Sequence, residues 1–100
     1  MAHESWWVLD PVPGILVWAR CVERDDGGAE VLDSTGLTTR FADESAARMY
    51  LLDHAYRAFD GLDEDDAIEM GFSLASVAPP RAETELELLR AMTQRLAQAS

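Results

Sequence analysis

The chain has 100 residues, and 19 Asp and Glu face 8 basic residues, giving a formal net charge of −11 at pH 7. All the basic residues are Arg, and one charge sign this dominant argues against nucleic acid and anionic membrane as direct partners. The length suits one domain, and 48% hydrophobic with 27% charged residues is globular rather than disordered usage.

No apolar run approaches the ~20 residues of a bilayer span, and Met1-Ala2-His3-Glu4-Ser5 lacks the basic start of a leader. Cys21 has no second cysteine to pair with, so a reduced, cytoplasmic setting is expected.

The first 41 residues read as strands and the rest as helices, which is α+β order. Trp6-Trp7-Val8-Leu9 is a short strand that Asp10-Pro11-Val12-Pro13-Gly14 should stop. Ile15 to Glu23 forms a second strand, and the Asp26-Gly27 pair then signals a hairpin to a third, Ala29 to Asp33. A two-residue tip there sets Val22 opposite Val31 but also Glu23 opposite Glu30. A longer loop that pairs Arg24 with Glu30 relieves the conflict. Asp33-Ser34-Thr35-Gly36 is a second turn, before a fourth strand from Leu37 to Phe41.

Asp43 caps a first helix, whose stripe Met49, Leu52, Tyr56 and Phe59 runs to a stop at Gly61. Asp63 caps a second, Glu64 to Met70, closed by Gly71, with Leu62 placed to pack on Ala67. After the extended Ala78-Pro79-Pro80-Arg81 linker, Thr84 opens a last helix to about Ala97, with Leu88, Leu89, Met92 and Leu96 on one side. The expected fold is thus a single α+β domain: a three- to four-stranded antiparallel β-meander (5–41) followed by two or three α-helices (43–98). This order is common in small bacterial proteins and names no family.

Little in the chain carries chemistry. Cys21, His3 and His54 lack ligand spacing for zinc, and Cys21 sits mid-strand among apolar residues as a small core hydrophobe. Gly27-Gly28 lacks the Lys and following helix of a phosphate loop, and no Gly-x-Ser-x-Gly elbow occurs. No cofactor or metal is expected. Asp60, Asp63, Glu64, Asp65, Asp66 and Glu69 put six acids into ten residues, but without the alternate spacing of a calcium loop. Helix capping accounts for several of them, and the others leave a negative surface.

The second strand is apolar on both faces, with Ile15, Val17, Ala19 and Cys21 on one and Leu16, Trp18 and Val22 on the other. Either helices cover both faces, with the last helix crossing over, or a homodimer forms through the face that carries Trp7 or Trp18. The dimer is the favoured expectation. The favoured function is a non-catalytic interaction module that meets a basic protein partner through Asp60, Asp63, Glu64, Asp65, Asp66 and Glu69, with Trp7 and Trp18 as further contacts. The alternative is a small enzyme or ligand-binding protein with carboxylates and Trp around a cleft.

Overall fold

A computed structural model describes residues 3–12, 14–75 and 77–95. The meander is present: β1 (His3–Val12), β2 (Ile15–Glu23), β3 (Ala29–Leu32) and β4 (Thr38–Phe41) form an antiparallel sheet. Helices α1 (Glu44–Asp53), α2 (Glu64–Met70) and α3 (Glu85–Ala91) follow. Two short strands extend the sheet, β5 (Arg57–Ala58) beside β1 and β6 (Thr93–Arg95) beside β2.

β1 does not stop at Asp10 but runs on to Val12, with a register shift between Leu9 and Val12. β5 pairs β1 only at Trp7 and Val8. Pro11 therefore lies on an open edge, at an irregularity, where its missing N–H removes no ladder bond. The β2–β3 hairpin takes neither of the two expected registers. Glu23 faces Ala29 and Val22 faces Glu30, around a loop from Arg24 to Gly28. Glu30 faces Val22 on β2 and Arg40 on β4, and its Oε1 accepts from Arg24 at 2.7 Å and lies 3.0 Å from Arg40 Nε. Like charges are parted and one carboxylate gains two guanidinium partners.

α1 starts as expected, with the Asp43 carboxylate accepting from the Ala46 N–H at 2.8 Å, but it ends early. The Tyr56 N–H donates to the Leu51 carbonyl and the Ala55 N–H to that of Leu52, the paired closure of a Schellman motif. Ala55 holds the left-handed position at φ 67°, where glycine is usual. The buried stripe is consequently Ala47 and Leu51, while Met49 and Leu52 face solvent. The chain then turns into β5 and a 3-10 turn, Phe59–Gly61.

α2 has the expected limits, with Asp63 and Asp66 forming a reciprocal capping box and Gly71 at φ 93°. α3 is shorter than expected. β3 pairs β2 only from Arg20 onward, which leaves the side of Ile15–Val17 open. β6 fills it, and the Trp18 N–H donates to the Met92 carbonyl at 2.7 Å. Leu96 and Ala97 lie outside the described residues.

Each sheet face has its own core. Val8, Leu16, Trp18 and Leu32 pack with Ala67, Met70, Phe72, Leu88 and Met92 from the α2–α3 side. Trp7, Ala19, Cys21, Ala29 and Val31 pack with Ala47 and Leu51 of α1. The chain thus hides both tryptophans itself, Trp7 at 2% and Trp18 at 0% exposure. Among the described residues the Trp18 indole N–H has no hydrogen-bond partner, although its ring meets Trp6 edge-on at 6.0 Å.

The Ala55 conformation generates a stability test. A left-handed Cβ costs roughly 1–2 kcal/mol, while glycine loses about 0.5–1 kcal/mol in unfolded-state entropy. Ala55→Gly should therefore raise stability by about 0.5 kcal/mol, seen as a higher midpoint in thermal unfolding. A lower midpoint would contradict the role given to Ala55.

Candidate functional site

The six clustered acids lie on the 3-10 turn and α2, and the structure separates them by task. Asp63 accepts from the Asp66 N–H at 2.8 Å, and Asp66 reaches back to the Asp63 N–H at 3.3 Å. Asp66 also pairs with Arg57 at 3.0 Å. The Asp63 backbone N–H, chiefly, and Arg57 after it hold the Asp66 carboxyl below its ordinary value of 3.8. Glu64 accepts from the Leu74 N–H at 3.1 Å, so it fixes the chain after α2. Asp60, Asp65 and Glu69 are exposed and make no ion pair among the described residues. Glu69 follows Ile68 on α2, and both are exposed, Ile68 to 66%.

Trp7 and Trp18, expected as partner contacts, sit in cores on opposite sheet faces and offer no broad surface. Neither joins the acids. Cys21 is buried, and burial pushes its thiol pKa up, which keeps it protonated. His54 caps the end of α1, with Nδ1 2.7 Å from the Tyr50 carbonyl and its ring stacked 4.1 Å from that of Tyr50. His3 is exposed. Among the described residues no three His, Cys, Asp or Glu side chains are placed to hold a metal ion. No described helix is long and apolar enough to cross a membrane.

Shallow clefts mark the surface of the described residues. One, of about 170 Å³, lies at the hairpin loop between Arg24, Asp26, Glu30 and Arg40. A second, of about 100 Å³, joins Arg20, Val22, Glu30, Thr38 and Glu85, and the buried Arg20 Nε has no hydrogen-bond partner among the described residues. A third, of about 200 Å³, lies between α1 and the 3-10 turn, over Trp7 and Ala58. Arg48 and Arg57 line it together with Leu52 and Leu62, and no carboxylate does. The sequence reading missed these residues because it carried α1 through Arg57. Only the early helix stop brings Arg57 round to the cleft.

Comparison with known proteins adds no relative: no family model matches the chain, and no curated protein or solved structure matches it significantly.

The capping box has a pH signature. Because the folded Asp66 value is depressed, its stabilisation is complete above the ordinary 3.8 and is lost as pH falls through the lower folded value. Asp66→Asn should lower the thermal midpoint at neutral pH and narrow its gap to the parent in acid. A variant as stable as the parent at neutral pH would show that the box and the Arg57 pair contribute nothing.

Proposed function

We propose that the chain is a non-catalytic, acidic interaction module, of inhibitor, immunity or adaptor type, that binds a basic protein surface through Asp60 and the outer face of α2. The observation that carries this reading is Ile68. An aliphatic side chain 66% exposed stands three residues after Asp65, four after Glu64 and next to Glu69. Residues three and four apart share a helix face, so Ile68 sits with Asp65 and Glu64, and Glu69 sits with Asp65. An apolar anchor ringed by unneutralised acids offers a basic partner both burial and charge, and the acids add speed and selectivity of encounter. Asp63 and Asp66 enter this reading as the caps that hold the face in place.

The same reading puts the protein in a reducing, cytoplasmic setting, which suits its buried Cys21 thiol. Nucleic acid is not its partner, given the net charge of −11. A homodimer through a sheet face would have to use Leu9, Val12, Ile15 and Val17, which belong to neither core cluster, rather than Trp7 or Trp18. For a small enzyme or ligand-binding protein speaks the cleft over Trp7; against it, no carboxylate lines that cleft.

The test is a photo-crosslinking amino acid in place of Ile68, activated in cells of the source organism. One basic protein should be captured, and Asp65→Asn with Glu69→Gln should cut the yield at least ten-fold, as should high salt. Absence of an adduct, or one indifferent to both changes, would refute the reading.

A further inference from the structure

The cleft over Trp7 adjoins the acidic face, since Arg57 pairs with Asp66 and Gly61 follows Asp60, but its lining has the opposite charge. Trp7 and Ala58, register partners in β1 and β5, line it together with Leu52 and Leu62. Leu52 is 57% exposed although it is a large aliphatic side chain. Arg48 and Arg57 complete the lining, in a chain that carries 19 acids against 8 basic residues. The first two clefts both contain Glu30, whose carboxylate would repel an anion.

Both guanidiniums are positioned without being used up. Arg48 lies 5.8 Å from the centre of the Trp7 ring, and its contact with Glu44 is a loose 3.5 Å. Arg57 is fixed by one nitrogen, Nη2, against Asp66 at 3.0 Å. A guanidinium has five N–H donors in a planar fork, so each of these retains donors for a carboxylate. Held over an aromatic ring, Arg48 also loses less side-chain freedom when it engages a ligand.

We propose that this cleft docks an acidic, apolar segment of a partner protein: an aliphatic side chain against Leu52 and Leu62, with an adjacent carboxylate on Arg48 and Arg57. The charge complementarity selects the occupant, since the lining offers an acidic side chain two guanidiniums, each with donors left over from its one carboxylate partner, Glu44 or Asp66. The open shape suits one side chain of a longer segment rather than an enclosed small molecule. Its lining includes none of Asp60, Glu64, Asp65, Ile68 and Glu69, so either proposal can fail alone.

The probe is the peptide acetyl-Leu-Asp-amide, titrated into the labelled protein and followed by the Trp7 indole N–H resonance, which is fixed by a 3.2 Å bond to the Ser5 hydroxyl. The expected result is a saturable shift in the millimolar range, at least ten-fold weaker with acetyl-Leu-Asn-amide. Arg48→Gln should weaken it by about ten-fold. Arg81→Gln, and Asp65→Asn with Glu69→Gln on the α2 face, should leave it unchanged. No saturable shift up to about 10 mM, or equal shifts with both peptides, would overturn the proposal.

Discussion

Strand β2 sets the problem that the rest of the fold solves. It is flanked by strands on both sides, β1 on one and β3 then β6 on the other, and it is apolar on both faces. A strand of this kind must be covered twice, and one helical layer cannot do it. The two coverings differ in grain. On one face Ala19, Cys21 and Ala29 are small, so Ala47 and Leu51 of α1 can come close. On the other, Leu16 and Trp18 are large, and residues of α2, α3 and the segment between them fill in around them. Burial of side chains such as Leu16 or Leu51 contributes roughly 1.5–3 kcal/mol each, which makes this double cover the main source of stability.

The coverings sit over different halves of the sheet, and that decides what the surface offers. α1 packs near β3 and β4, leaving Leu9, Val12, Ile15 and Val17 outside its core. α2 and α3 pack over Leu16 and Trp18, leaving Glu4, Arg20 and Glu30 around half-buried Trp6 and Val22. The Trp7 cleft opens at the border of the α1 covering, where the helix ends and β5 begins. The acidic face lies on the outer side of α2, which is free because Ala67 and Met70 turn inward. Both candidate surfaces are by-products of how β2 is hidden.

What the sequence disclosed was the part that local chemistry decides. α2 was legible to the residue because Asp63, Asp66 and Gly71 are all within one short segment and each acts on its neighbours. The facing of β2 was legible because alternation needs no knowledge of partners. The end of α1 was hidden: its closing position holds Ala55 where glycine would have signalled a stop. β6 was hidden for another reason. A strand of three residues has no pattern of its own, and Thr93–Arg95 becomes one because Ile15–Val17 has an open side. The hairpin's Glu30 meets both Arg24 and Arg40, and Arg40 belongs to the next strand, which no reading of the loop alone could weigh. The acidic candidates could be named in advance for the same reason as α2, whereas the arginine-lined cleft joins residues from four separate segments.

The central claim is that both coverings of β2 belong to one cooperative unit. Native-state hydrogen exchange tests it most directly, read at the β2 amides of the parent and of two cavity variants, Leu51→Ala beneath α1 and Met92→Ala on the opposite face. Each variant should cost about 2–5 kcal/mol and should speed the slowest β2 amides by one common factor, as global unfolding does. If Leu51→Ala accelerated only amides of α1, β3 and β4, or Met92→Ala only those of α3 and β6, the coverings would open separately and β2 would not be what unites them.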